Sequence, residues 1–247
     1  MNSNYIEGKH ISFSYENGVE ILQDISFRIE NNKSVGIIGA NGVGKSTLLR
    51  ILVGLEMNFQ GEVLVNNLQL SKKTLSKIRG EIGYLFQNSD NQLFTQTVFD
   101  DVAFALRNSG LDEKKVEEEV TKALSGIGIA HLRGKKIYKM SGGEKKMASI
   151  ATILAMKPNV ILLDEPTIAL DPKNRRTLIQ TLNGLDYIKI IASHDLDMIL
   201  ETCDRVILMS EGRIICEGDT KEILREKALL EANNLELPLC FGGYRER

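Results

Sequence analysis

Cysteine is scarce in this sequence. Cys203, Cys216 and Cys240 are an odd number, and no two stand in a CxxC spacing. That excludes a disulfide framework and a thiolate zinc site and fits a reducing cytosol. Buried small apolar side chains are the expected role of all three. His10, His131 and His194 are scattered without ligand spacing, so no histidine metal site is expected in this chain. Charge of one sign is also missing. Lys and Arg total 31 against 33 Asp and Glu, a formal net charge of −2, which leaves no basic stripe for nucleic acid and no acidic tail. Apolar runs such as residues 160–163 and 190–192 fall far short of the roughly 20 residues that cross a bilayer. The chain is therefore not expected to be an integral membrane protein. Met1-Asn2-Ser3-Asn4-Tyr5 has no basic region followed by an apolar one, so no secretory leader is expected. There are no repeats, low-complexity tracts or Pro/Ser-rich linkers. What remains is 247 residues, 43% hydrophobic and 26% charged, the composition of one soluble globular domain with at most a short appendage.

Residues 11–15 and 25–29 alternate apolar and polar side chains, as half-buried antiparallel strands do, with Asn17-Gly18 as a turn between them. Ser34-Val35-Gly36-Ile37-Ile38 is a short apolar run, which suits a strand covered on both faces. A glycine-rich loop and a helix over residues 46–55 follow, then a strand at 61–65 turning at Asn66-Asn67. From about residue 100 to 156 the strand signal fades. Val116, Val120, Ala123 and Leu124 recur at helical spacing, and a second helix over 144–156 is stopped by Pro158. Buried strands return at 160–163, 189–192 and 205–209. Strands alternating with helices predict an α/β fold with a mainly parallel sheet covered on both faces. The helical middle, about 88–156, reads as an insertion within one domain spanning 1–225, and 226–247 as a C-terminal tail. A surface helix with a loose end is the plain reading of that tail.

Gly39-Ala40-Asn41-Gly42-Val43-Gly44-Lys45-Ser46 fits G-x-x-x-x-G-K-[ST] between a buried strand and a helix. Its glycines let successive N–H groups turn toward phosphate oxygens, and the helix N-terminus adds partial positive charge. Lys45 suits the outer phosphates, and the Ser46 hydroxyl suits Mg²⁺. Val160-Ile161-Leu162-Leu163-Asp164-Glu165 delivers two carboxylates to the carboxyl end of the sheet. Asp164 would support the Mg²⁺ shell, and Glu165 would act as general base toward the attacking water. Ser141-Gly142-Gly143 opens a second helix N-terminus fit for an anion. One nucleotide has no use for two such helix starts in one chain. A dimer does, if each subunit offers the second motif to the other's ATP.

In these motifs the chain resembles the ATP-binding subunits of ABC transporters over roughly residues 5–225. The resemblance implies a P-loop NTPase (RecA-like) core, an antiparallel β subdomain and an inserted α-helical subdomain. It implies that Tyr15 stacks on adenine and that Gly39, Ala40, Asn41, Gly42, Val43, Gly44, Lys45, Ser46 and Thr47 hold the phosphates. It makes Gln87 the glutamine that reaches Mg²⁺ and the attacking water. Residues 140–145 become the signature motif, Ala169-Leu170-Asp171 a loop at the dimer interface, and His194 a contact to the γ-phosphate. Asp171 before Pro172 also reads independently as a helix N-cap. The catalytic set is then Glu165, His194, Gln87 and Lys45. ATP contacts extend to Ser141, Gly142 and Gly143, and Ser46, Gln87 and Asp164 serve Mg²⁺, partly through water.

Two positions depart from the family pattern. Met140 replaces leucine, a volume-conserving change. Glu144 replaces glutamine and puts a carboxylate where a helix dipole favours it. The stretch Phe86-Gln87-Asn88-Ser89-Asp90-Asn91-Gln92-Leu93-Phe94 is similar to the energy-coupling factor group, importers of vitamins or of cobalt and nickel ions. The chain length and the ending at 229–238 look more like the cobalt/nickel branch. That group implies a homodimer on a membrane coupling subunit and a substrate-binding membrane subunit, peripheral at the cytoplasmic face of the cell membrane. The segment from Gln87 to about Leu106 would meet the membrane subunit, with Asp100 and Asp101 offering carboxylates to it. A vitamin-importing system is the alternative, as is a soluble ABC-type ATPase. Against the latter, Lys45 and Ser141 stand too close in sequence for a long coiled-coil insertion.

Overall fold

The computed structural model describes residues 4–16, 18–30 and 33–241. Asn17 of the expected first turn, the leading Met1, Asn2 and Ser3, and residues 242–247 of the tail lie outside the described residues. The chain runs β1 (Tyr5–Ser14), β2 (Glu20–Glu30), β3 (Ser34–Ile38), α1 (Lys45–Leu52), β4 (Gln60–Val65) and β5 (Leu68–Gln69). It continues through α2 (Leu75–Glu81), β6 (Ile82–Leu85), α3 (Val98–Asn108), α4 (Glu113–Gly126), α5 (Gly142–Ala155) and β7 (Val160–Asp164). Then come α6 (Pro172–Asn183), β8 (Ile188–Ala192), α7 (Leu196–Thr202), β9 (Arg205–Ser210), β10 (Arg213–Asp219), α8 (Thr220–Ile223) and α9 (Lys227–Ala232).

The strands form two sheets. One is antiparallel, in the order β2-β1-β4-β5. The other runs β10-β9-β3-β8-β7-β6 and is parallel except for the β10 edge. Strands β3, β7 and β8 are buried at every position, as a sheet covered on both faces requires. Side chains along β7 alternate between two cores. Val160 and Leu162 face the core that holds Leu48, Leu49 and the antiparallel sheet. Ile161 and Leu163 face the core that holds α3, α4, α5, α6 and α7. Helix α1 stops at Leu52, short of the expected 55, because Gly54 turns left-handed at φ 72° and ends the helix.

Helices α3, α4 and α5 pack on one another through Val102, Leu106, Val116, Val120, Leu124 and Ala148. Each has a polar N-cap. Thr97 accepts from the Asp100 N–H and Asp112 from the Lys115 N–H, while Ser141 and Glu144 form a reciprocal capping box.

Three expectations are corrected here. Asp101 is 5% exposed and accepts from the Phe94 and Thr95 N–H groups at 3.1 and 3.3 Å. It holds its own loop and is not available to a membrane partner; of the pair, only Asp100 reaches the surface. Only Cys203 is buried; Cys216 is half-buried and Cys240 exposed. The tail has no loose start, because Leu230 and Leu235 are buried in the helical core. Asp197 on α7 also accepts from the Leu239 and Cys240 N–H groups.

Candidate functional site

The phosphate loop leaves β3 at Ile38 and enters α1 at Lys45. Its curl needs glycine at two points. Gly39 has φ 148°, and a Cβ there would stand 2.2 Å from the Met209 carbonyl oxygen. Gly44 caps α1 in the left-handed region, φ 101°, with Leu22 Cδ2 only 2.6 Å from where a Cβ would sit. Lys45 Nζ donates to the Gly39 and Ala40 carbonyls at 2.7 and 2.9 Å. Burial pushes its pKa down, and the charges of Glu165 and Asp164 oppose that shift. The ammonium is thus held at the lip of the loop, ready for anionic oxygens.

Strand β7 lies beyond β8 from β3 in the same sheet and brings the carboxylates to this loop. Ser46 Oγ donates to Asp164 Oδ1 at 2.8 Å. Burial raises the Asp164 pKa, with the Ser46 hydrogen bond working against it. A buried carboxylate and a hydroxyl side by side form a hard oxygen pair that suits Mg²⁺. Glu165 follows in the left-handed region, φ 47°, with its N–H on the Ala192 carbonyl at 2.9 Å. Its Oε2 lies 2.8 Å from His194 Nδ1 and accepts from Ser193 Oγ at 3.1 Å. Residues far apart in sequence therefore share one acid.

Lys45, Ser46, Glu165 and His194 line one cleft of about 440 Å³, together with Tyr15, Asn41, Gly42, Gly44, Thr47 and Gln87. Tyr15 stands at its rim, edge-to-face on Phe13 with ring centroids 4.8 Å apart and its hydroxyl 3.4 Å from Thr47 Oγ1. Gly39, Ala40 and Val43 belong to the loop but do not line the cleft; the first two supply the carbonyls that hold Lys45. The structure gathers Tyr15, Lys45, Ser46, Thr47, Gln87, Glu165 and His194 around it, with Asp164 behind Ser46.

Ser141, Gly142 and Gly143 do not line this cleft. Gly142 lines a neighbouring one of about 530 Å³, which it shares with Gln87 and Ala169. A Cβ on Gly143 would stand 2.9 Å from the Ala169 carbonyl oxygen, so the signature turn packs on the 169–171 loop. Ser141 Oγ accepts from the Glu144 N–H at 3.2 Å, and Glu144 returns the bond to the Ser141 N–H at 2.9 Å. Lys135 beside Glu144 holds that carboxyl below the usual range, with the Ser141 N–H adding to the effect. Asp171 caps α6 by accepting from the Asn174 N–H at 2.9 Å, with Pro172 at the first helical position.

Two site-bordering residues escape sequence reasoning. Arg175 grips Asp195, beside His194, through two bonds of 2.9 and 3.0 Å. Lys146 is buried in α5 and donates to the Gln87 carbonyl at 2.6 Å; burial pushes its pKa down to about 8. A lysine after another lysine reads as a solvated face, and only the packing of α5 reveals otherwise.

Comparison with known proteins identifies the family and the fold. Residues 22–168 match the family described as ABC transporter. The energy-coupling factor transporter ATP-binding protein EcfA of Methanothermobacter thermautotrophicus is 41% identical over 94% of this chain and 76% of its own length. The structure of cbiO1 from Clostridium perfringens, part of the ABC transporter complex cbiONQ, superposes with a TM-score of 0.80. It is 37% identical and covers 96% of both chains. A dimeric ATP-binding cassette in a post-hydrolysis state, bound to ADP and Pi, superposes with a TM-score of 0.81 at 26% identity, over 87% of this chain and 98% of that one. A P-loop beside the carboxylates of Asp164 and Glu165 at the end of β7, on a core shared with these proteins, places the chain in the ABC transporter family as an ATP-binding subunit of the energy-coupling factor type, an ATPase coupled to transport.

Proposed function

We propose that two copies of this chain face each other head to tail, hydrolyse ATP at two equivalent sites and drive a cobalt or nickel importer. The observation that carries the dimer is the separation of Ser141, Gly142 and Gly143 from the chain's own phosphate cleft. The Ser141 hydroxyl proton and the Gly142 and Gly143 N–H groups would meet a nucleotide from elsewhere, and a two-fold pair supplies one to each side. The metal substrate is favoured by likeness to cbiO1 over nearly the full length of both chains.

Within each site the loop N–H groups and Lys45 bind the β- and γ-phosphates, and Tyr15 stacks on the adenine. Ser46, Asp164 and the Gln87 side chain would hold Mg²⁺, which neutralises phosphate charge when bound. Glu165 takes a proton from the water whose oxygen attacks the γ-phosphorus. The bond from that phosphorus to the ADP oxygen breaks, giving ADP and phosphate. His194, within hydrogen-bond reach of Glu165, orients that carboxylate and meets the γ-phosphate. The partner's Ser141 closes the site from the far side. The chain sits at the cytoplasmic face of the membrane on a coupling subunit and a substrate-binding subunit.

The test is to express the chain with its neighbouring membrane subunits and purify the assembly from detergent-solubilised membranes. One kind of ATPase chain and ATP-dependent uptake of Co²⁺ or Ni²⁺ are expected. Two different ATPase chains would refute the homodimer, and vitamin uptake without metal uptake would refute the substrate.

A further inference from the structure

Lys146 is 2% exposed, one step along α5 from Met147, which is as deeply buried and apolar. Packing alone does not ask for a cation there, and a buried ammonium is costly unless its donors are used. Its Nζ donates to the Phe86 and Gln87 carbonyls at 3.1 and 2.6 Å. Two further bridges run beside it. Lys145 Nζ meets Asp90 Oδ1 at 2.6 Å. Gln92 Nε2 donates to the Ser149 carbonyl and Thr152 Oγ1, both at 2.8 Å, while its Oε1 accepts from the Phe86 N–H at 3.4 Å. Residues 86–92 are thus pinned along α5. That helix begins at Gly142, under the Ser141 cap.

We infer that Lys146 is a positioning residue that locks the Gln87 loop to the Ser141 end of α5. The inference rests on the roles proposed above for Gln87 and Ser141. Gln87 faces the chain's own nucleotide, while Ser141 faces the partner's. With loop and helix moving as one body, a shift of Gln87 at one nucleotide is carried to the motif that completes the other site. The two sites then sense each other without any contact between their nucleotides, through a two-state element that both bias.

The experiment compares K146M and K146Q with the wild-type full chain, measuring kcat, KM, the Hill coefficient for ATP and Tm. Misplacing the attacking water should lower kcat of K146M by about 10- to 100-fold, with KM little changed and cooperativity lost. K146Q keeps an amide donor for one carbonyl and should fall between K146M and wild type. A purely structural lysine would instead move KM and Tm together. Wild-type kcat and Hill coefficient in K146M overturn the inference; if K146M does not fold, the same result in K146Q does so. Q87A is assayed in parallel. An impaired Q87A beside a normal K146M sinks only the Lys146 inference, whereas a fully active Q87A sinks the reading on which it stands and the inference with it.

Discussion

Replacing Glu165 by glutamine separates binding from chemistry. The carboxylate accepts from Ser193 Oγ at 3.1 Å and lies 2.8 Å from His194 Nδ1. Glutamine has the same shape, and its carbonyl oxygen still accepts from Ser193. Exchanging a charge-assisted hydrogen bond for a neutral one should cost about 1 kcal/mol of stability. The pocket wall and Lys45 are untouched, so ATP binding should persist. What disappears is the proton acceptor. Loss of a general base typically slows a reaction by about 10²- to 10⁴-fold, which raises the barrier by about 3–5 kcal/mol. Phosphate release in a single turnover reads this directly, and gel filtration with ATP should show E165Q as a persistent dimer. Phosphate release at the wild-type rate would refute the assignment of the base and, with it, the order of events at the site.

Lys45→Ala removes the ammonium poised at the loop lip and should weaken ATP binding by about 10-fold or more, as loss of a charge-assisted contact does; titration calorimetry checks it. Gly39→Ala would drive a Cβ to 2.2 Å from the Met209 carbonyl, so it should both lower Tm and abolish nucleotide binding, whereas a Tm equal to wild type would contradict the packing. Asp101→Asn tests a buried acid whose pKa is raised chiefly by desolvation. A raised folded pKa favours the fold below the ordinary carboxylate range and loses that advantage as pH rises through the folded value. Wild-type Tm should therefore fall relative to D101N as pH is brought up from acid through that window, and parallel Tm curves would refute it.

Much of the nucleotide site is legible in the sequence because its parts are local. The loop from Gly39 to Ser46 needs a fixed spacing between a strand and a helix, and both are visible in the apolar pattern. Asp164 and Glu165 announce themselves by following a run of four buried apolar side chains. What is not legible is which distant groups meet. The sharing of Glu165 by Ser193 and His194 follows from β7 and β8 lying side by side, a pairing that periodicity does not specify. Asp101 reads as a solvated acid in a first helical turn, and only the fold of residues 94–95 over it shows that it is a buried acceptor. Likewise Lys146 follows a charged neighbour, and its burial comes from the loop that closes on it. Strand β10 escapes the pattern because none of its residues is buried, and the consecutive Ile214, Ile215 and Cys216 break the apolar–polar alternation.

The position of β3 has a consequence for how the chain is made. Gly36 is paired with Ile191 on one side and Val206 on the other, so most of the sequence lies between this strand and its partners. Such long-range pairing closes late, after large loops have been ordered, while helices α3 to α5 draw on contacts closer along the chain. During synthesis the phosphate loop therefore leaves the ribosome long before the strands that give it shape. Until β8 and β9 arrive, β3 exposes both edges, and open strand edges invite pairing with other chains. A nascent chain halted before residue 205 should neither bind ATP nor stay monomeric, and ATP cannot act as a folding template for it.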